Sequence, residues 1–278
     1  MTMQCTNPYT LTMADGQTIE LPCGRCTSCK IAHAREWVVR LLHELQYAKS
    51  AYFVTLTYDD EHLPPDGSLS KKALQDFFKR LRKHLPPQSL RYYACGEYGE
   101  TSNRPHYHFI CYLAVECDGF ESFVHSAWSL GFVYIGTVTA QSCRYVAQYV
   151  HKKYSAKYNK FIYGDKQPPF QLQSQGLGKQ YVFDNADRLL EDLCVTINGK
   201  PCGLPRYYAK KLIDERSLFD PRRKELKDEL QERAVERCAD VYSYWRDRGL
   251  IPYKAINAAR KQADKNVVAR LNLKSSKL

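Results

Sequence analysis

The sequence predicts an α+β fold: an antiparallel sheet with helices packed on one face. Three observations predict it. Residues 51–58 (AYFVTLTY) are β-branched and aromatic, and residues 106–113 alternate two faces with the period of a strand. Apolar residues at helical spacing fill 31–49 and 70–85. The order of segments from residue 51 is β-α-β-β-α-β, which belongs to the ferredoxin-like split arrangement with its two middle strands in a hairpin.

In chain order, a helix is expected over 31–49, where Ile31, Trp37, Val38, Leu41, Leu42 and Leu45 form one stripe. The strand 51–58 follows, then a loop over 59–67 with two prolines. Ser70 is placed to cap a helix whose inner side is Leu74, Phe77, Phe78, Leu81 and Leu85. The other side of that helix carries Lys79, Arg80, Arg82 and Lys83, a solvated face or part of a phosphate-binding surface. Pro86 and Pro87 end it. Strands over 90–97 and 106–113 flank a hairpin loop, a short helix covers 120–130, and a strand covers 132–139. A further helix opens at Gln141 or Ser142 and reaches about residue 154. Residues 164–178 (GDKQPPFQLQSQGLG) read as a loop, and without a G-K-[ST] ending it is no phosphate-binding P-loop. Beyond it come a short helix over 184–193, a turn with Asn198-Gly199 at its tip, and helical segments around 226–237 and 258–271. Three regions result: a Cys-rich N-terminal segment with its helix (1–50), a core (51–183) and a basic, largely helical C-terminal region (184–278).

The composition bounds the function. With 278 residues, 44% hydrophobic and 26% charged, the chain is globular rather than disordered. No apolar run approaches membrane-spanning length and no charged-then-apolar leader opens the chain, so the expectation is a protein that stays where it is made. Eleven cysteines in such a chain point to reduced thiols and a metal site, not a disulfide framework. A net charge of +11 and a pI near 9.0 point to an anionic partner. Residues 221–278 concentrate that charge, with 15 Lys+Arg against 8 Asp+Glu; this tail either contacts phosphates or docks with its charges solvated.

Three motifs carry chemistry. In RPHYHFI, His106 and His108 point to the same face of a strand, as do Ile110 and Tyr112, while Tyr107, Phe109, Cys111 and Leu113 form an apolar second face. Two imidazoles side by side make half of a metal site, or simply two surface histidines. Cys23, Cys26 and Cys29 have the C-x-x-C-x-x-C spacing of a zinc knuckle or an iron–sulfur site, and Cys5 can complete four thiolates. On the helix around 143–154, Cys143, Val146, Ala147, Val150 and Tyr154 make the core stripe, while Tyr145, Tyr149 and Lys152 cluster away from it. A lysine near a phenol favours the phenolate, so Lys152 suits activation of Tyr149. Tyrosine nucleophiles, paired histidines and a basic chain together point to phosphoryl transfer on nucleic acid.

These motifs resemble those of the HUH-superfamily replication initiators, the endonucleases of rolling-circle replication. RPHYHFI resembles their histidine–hydrophobic–histidine motif, FVTLTY their first motif, and YVAQYVHKK their two-tyrosine helix. PCGRCTSCK is similar to the gokushovirus members of the Microviridae, the isometric single-stranded DNA bacteriophages. The resemblance covers roughly the first 180 residues. It implies the HUH endonuclease fold and a site-specific nickase and strand transferase, in which Mg²⁺ or Mn²⁺ sits on His106, His108 and a third side chain. Glu97, ending the strand paired with the histidine strand, is the first choice for that third ligand, and Glu100 in the hairpin loop the second. Tyr145 and Tyr149 would attack DNA in turn, leaving a 5′-phosphotyrosine and a free 3′-OH, with Tyr149 first because Lys152 is nearest to it. Thr55 and Thr57 either shape the DNA groove or are buried strand residues. The implied partners are single-stranded DNA at a replication origin and a host helicase and polymerase, in the cytoplasm of a bacterial host, with no membrane. Two other readings share these features: an HUH transposase or relaxase, and a non-catalytic zinc-containing nucleic-acid-binding protein.

Overall fold

The computed structural model describes residues 5–13, 16, 18–99, 101–148, 156–197, 199–214 and 221–275. Its elements in chain order are β1 (Tyr9–Thr12), β2 (Thr18–Leu21), α1 (Thr27–Leu45), β3 (Ser50–Thr57), α2 (Lys71–Lys83), β4 (Leu90–Tyr98) and β5 (Pro105–Leu113). There follow α3 (Phe120–Ala127), β6 (Val133–Thr137), α4 (Ala140–Gln148 as described), α5 (Ala156–Tyr163), β7 (Phe170–Gln173), α6 (Lys179–Asp184) and α7 (Ala186–Asp192). The last are β8 (Cys194–Ile197), β9 (Lys200–Gly203), α8 (Arg206–Asp214), α9 (Pro221–Arg246) and α10 (Pro252–Ser275). The chain forms two compact units, one of residues 1–33, 187–195 and 206–278, the other of residues 34–186 and 196–205.

The second unit holds a five-stranded sheet in the order β6-β3-β5-β4-β7, every pairing antiparallel. Taken alone, β3-α2-β4-β5-α3-β6 is the split arrangement that the segment order predicts, with β5 inserted between β3 and β4. Strand alternation then divides β5 cleanly. Tyr107, Phe109, Cys111 and Leu113 are buried on one face, in a core with Phe77, Phe78 and Leu81 of α2 and Phe120 and Val124 of α3. Ser70 caps α2 as expected, its hydroxyl accepting from the amide of Ala73 at 3.1 Å. Of the basic side chains on α2, Arg80 is tied to the carbonyl of Ala127 at 2.8 Å and Arg82 lies over the Tyr92 ring.

The two helices of the split unit therefore lie on one face, as expected. Two further helices cover the histidine face: Trp37 and Leu41 of α1 and Cys143, Val146 and Ala147 of α4 pack on Tyr93, Ile110 and Tyr112. The sheet is buried on both sides over half its length, which is why Ile110 and Tyr112 are apolar although they share a face with the histidines.

Several boundaries differ from the sequence reading. Residues 164–178 are not all loop: Phe170–Gln173 is the edge strand β7, beside β4. Pro168 and Pro169 just before it mask a four-residue strand that needs only one paired edge. Helix α4 starts at Ala140, because Thr139 and Ser142 cap each other reciprocally, the Ser142 amide donating to Thr139 Oγ1 at 3.1 Å and the Thr139 amide to Ser142 Oγ at 2.8 Å. Helix α1 starts at Thr27, inside the cysteine cluster, rather than at residue 31.

In the other unit β1 pairs antiparallel with β2, Tyr9 opposite Leu21. Leu226 of α9 and Ile256 of α10 are buried, as are Leu189, Tyr208 and Leu212. Arg260 of α10 is also buried and is ion-paired to Glu20 of β2, so that part of the tail's positive charge is neutralised within the unit.

Candidate functional site

The antiparallel register of β4 and β5 sets Glu97 directly opposite His106 and Cys95 opposite His108. On the other side of β5, Thr57 faces His106 and Thr55 faces His108. Glu97, His106 and His108 therefore project from one face at the open end of the sheet, beyond the part that α1 and α4 cover. One carboxylate oxygen, Glu97 Oε1, lies 3.1 Å from His106 Nε2 and 3.0 Å from His108 Nε2. Glu97 and His108 are buried and His106 half-buried.

The far side of each ring is held. Nδ1 of His106 is 3.1 Å from the carbonyl of Arg104, which can only accept, so Nδ1 carries the proton and a neutral ring turns its Nε2 lone pair towards Glu97. Nδ1 of His108 is 2.8 Å from the hydroxyl of Thr55, and Phe53 stacks on the same ring at 5.9 Å and 9°. Arg104 is itself fixed by Asp60 at 2.6 Å and by the carbonyl of Tyr58 at 3.1 Å. Two neutral imidazoles and a carboxylate all aim lone pairs at one point, an arrangement that repels itself unless a proton or a cation stands there. Adjacent ligands of an octahedral ion at about 2.1 Å lie about 3 Å apart, so the donor set fits a divalent cation.

Tyr145 reaches this point from α4. Its hydroxyl donates to Glu97 Oε1 at 3.3 Å and lies 3.2 Å from His108 Nε2, its ring edge-on to that of His108. Helical phase explains the placement: Cys143, Val146 and Ala147 face the core, and Tyr145 is turned off that stripe towards the end of the sheet. Tyr149, Lys152 and Glu100 lie outside the described residues. Sequence reasoning left Thr55 undecided and missed Phe53 and the Arg104 carbonyl. A register of β3 against β5 would have found Thr55 and Phe53, but no local motif announces it.

The four cysteines also come together. Cys5, Cys23, Cys26 and Cys29 place their sulfurs within 4.8 Å of one another. The Cys23–Cys29 and Cys5–Cys26 Sγ separations are 3.9 and 3.8 Å, while four thiolates on a tetrahedral zinc at about 2.3 Å would be about 3.8 Å apart. The amides of Arg25 and Cys26 donate to Cys23 Sγ, each at 3.4 Å, and the amide of Cys23 to Cys5 Sγ at 3.3 Å. Burial opposes ionisation of Cys26, but hydrogen bonds from Thr6 and Cys29 outweigh it and bring the thiol down to about 6. Cys29 is pushed up by burial and by the neighbouring sulfurs. Such a group of donors can also hold a metal ion.

Known proteins resemble the chain across this region. A family model of the replication-associated proteins of ORF2 type matches residues 51–154, which include Glu97, His106, His108 and Tyr145. Replication-associated protein ORF2 of Spiroplasma virus 4 is 31% identical over 218 residues, 70% of this chain and 67% of that protein. Replication-associated protein VP4 of Bdellovibrio phage phiMH2K is 30% identical over 214 residues, 67% of this chain and 65% of that protein. Replication-associated protein ORF4 of Chlamydia phage 1 is 26% identical over 250 residues, 79% of this chain and 60% of that protein. The chain thus spans 60% to 67% of the length of these relatives. No solved structure matches it. A relative this similar over two thirds of its length, together with the match across the core, places the chain in the family of ORF2-type replication-associated proteins.

Proposed function

We propose that this protein initiates rolling-circle replication of a single-stranded DNA phage genome by nicking and rejoining DNA through a covalent phosphotyrosine. The observation that carries the reading is a phenolic hydroxyl within 3.3 Å of two members of a His₂–carboxylate donor set. A divalent ion held by Glu97, His106 and His108, Mg²⁺ or Mn²⁺, would supply Lewis-acid polarisation of the scissile phosphate.

The chain's own residues do the rest. The Arg104 carbonyl and the Thr55 hydroxyl hold the imidazoles in the orientation that directs both Nε2 atoms at the phosphate site. Tyr145 brings its oxygen to that site. Attack forms the Tyr Oη–P bond and breaks the bond from phosphorus to the 3′ oxygen, the phenolic proton being released and the 3′ oxygen taking one up. The products are a 5′-phosphotyrosine and a free 3′-OH, which a host polymerase would extend while a host helicase opens the strand. The phosphotyrosine keeps the energy of the broken ester, so a later attack by a 3′-OH reseals the strand without ATP. Tyr149, one helical turn from Tyr145, is the second nucleophile, with Lys152 beside it. Cys5, Cys23, Cys26 and Cys29 hold a structural zinc. No helix among the described residues is long and apolar enough to cross a membrane, which accords with work in the cytoplasm of an infected bacterium.

The test is incubation of the protein with Mn²⁺ and a labelled single-stranded DNA library. A covalent protein–DNA adduct, mapped to Tyr145 or Tyr149, is the expected result. Binding without cleavage in the presence of Mn²⁺ or Mg²⁺ would instead favour the non-catalytic zinc-containing nucleic-acid-binding protein, and an adduct formed on host or element ends rather than a phage origin would favour a transposase or relaxase.

A further inference from the structure

Phe132 and Tyr134 are large aromatic side chains left 69% and 65% exposed, an unusual amount of apolar surface on a strand whose other face is in the core. Their register says where they look. Tyr134 of β6 is opposite Thr55, and Thr55 is opposite His108. Phe132 exchanges both backbone hydrogen bonds with Thr57, at 2.9 and 3.0 Å, and Thr57 is opposite His106. Paired residues share a face, so both aromatics stand on the same face as Glu97, His106 and His108. They are two strand spacings from the histidines, about 10 Å. Val133 and Ile135, which alternate with them, pack on the opposite core.

The Tyr134 ring is also laid down flat along its strand. A Cβ on Gly136 would meet Tyr134 Cε1 at 3.3 Å and its hydroxyl at 3.5 Å, so the ring lies over the bare backbone of Gly136. A glycine in a strand interior costs stability, and here it leaves room for a ring to lie parallel to the sheet. Because β6 is an edge strand, this shelf is open on its outer side.

We infer that Phe132 and Tyr134 form a base-stacking subsite that holds single-stranded DNA beside the phosphate at the Glu97–His106–His108 site. The inference rests on the nicking function proposed above and adds to it a part of the protein that reads bases by stacking. Duplex DNA keeps its bases inside and cannot use such a shelf, whereas every unpaired base offers a π-face. The residues suit a sequence-tolerant contact: both are aromatic, and no charged partner is needed for the stacking itself.

The experiment compares binding of labelled oligothymidylate and of an abasic oligomer of the same length, by fluorescence anisotropy with the full chain in Mg²⁺-free buffer. The wild type should prefer the oligothymidylate. The double variant Phe132→Ala/Tyr134→Ala should bind oligothymidylate about 10-fold or more weakly while binding the abasic strand as before. Tyr134→Phe, which keeps the ring, should bind like the wild type, and Gly136→Val, which lifts the ring, should fall between. Both aromatic side chains are exposed, so thermal melting should be unchanged, and a matching melt excludes misfolding as the cause of a loss. Equal affinity of the double variant for oligothymidylate overturns the subsite, and so does an equal loss for both oligomers. A change of sedimentation mass with unaltered DNA affinity also overturns it, since the shelf would then seat a second copy of the chain on the β6 edge. A wild type that prefers bases through these two residues yet never nicks DNA refutes the nicking function and leaves the subsite standing; nicking with no such preference does the reverse.

Discussion

The hydroxyl of Thr55 lies 2.8 Å from Nδ1 of His108, and the two residues are direct partners across β3 and β5. This contact fixes the imidazole from behind, and partners of that kind commonly govern metal affinity or activity by about 10- to 100-fold. Thr55→Val keeps the shape and removes the hydroxyl. The Mn²⁺ concentration needed for half-maximal cleavage should rise about 10-fold or more, with single-stranded DNA affinity unchanged. A superimposable Mn²⁺ titration would remove Thr55 from the site.

His106→Ala and His108→Ala should each abolish cleavage and leave most DNA affinity intact. The histidines act on the phosphate in the transition state, while affinity comes from basic and stacking surfaces spread over the chain. Glu97→Gln keeps the shape but not the charge, and is expected to lose cleavage in the same way. Full nicking by the double histidine variant would refute the site.

The cysteine cluster predicts one tightly held zinc per chain. Metal analysis of the purified protein should find it, and Cys23→Ser or Cys26→Ser should lose it along with much of the thermal stability of the N-terminal unit. A fully folded protein free of zinc would dispose of the idea.

Tyr107 lies between the two histidines in sequence but on the opposite face, wholly buried. Its hydroxyl accepts from the Ser70 amide at 2.8 Å, donates to the Ser70 carbonyl at 3.0 Å and meets the Tyr58 hydroxyl at 2.8 Å. Tyr107→Phe strands a buried amide, so chemical denaturation should show a loss of about 1–3 kcal/mol. Burial first, then Tyr58, raises the Tyr107 phenol above its ordinary value. A raised phenol stabilises the folded state fully below the unfolded pKa of about 10, and that contribution is lost as pH climbs towards the folded value. The phenylalanine variant should therefore show a weaker fall in stability above about pH 10.

Much of this was legible in the sequence because the signals were periodic. Period two put His106 and His108 on one face and Tyr107 and Phe109 on the other, and the C-x-x-C-x-x-C spacing announced its own cluster. Helical phase took Tyr145 off the core stripe. Glu97 could be chosen over a loop residue because it ends the strand paired with the histidines. What was not legible depends on pairings between distant segments. Thr55 and Phe53 gain their roles only from the register of β3 on β5, and Tyr134 only from that of β6 on β3. The edge strand β7 hid behind two prolines. The cover of α1 and α4 over the histidine face could not be seen in any one stretch, since a helix stripe does not say which face of a sheet it meets.

The division of labour between the tyrosines follows from where Tyr145 stands. Its hydroxyl already touches Glu97 and His108, whereas the case for Tyr149 as first nucleophile rested on the nearness of Lys152 in sequence. Contact with the donor set favours Tyr145 for the first cut, because a nucleophile must reach the phosphate before its acidity matters. Tyr145→Phe should then lose most initial nicking, by about 100-fold or more, while Tyr149→Phe should nick but fail to release closed circles. The double variant should form no covalent adduct. The reverse pattern in the single variants would restore the lead to Tyr149 and make Lys152→Ala the next variant to slow the first cut. Peptide mapping of the adduct decides between them, and an adduct on a tyrosine outside this helix would reject both.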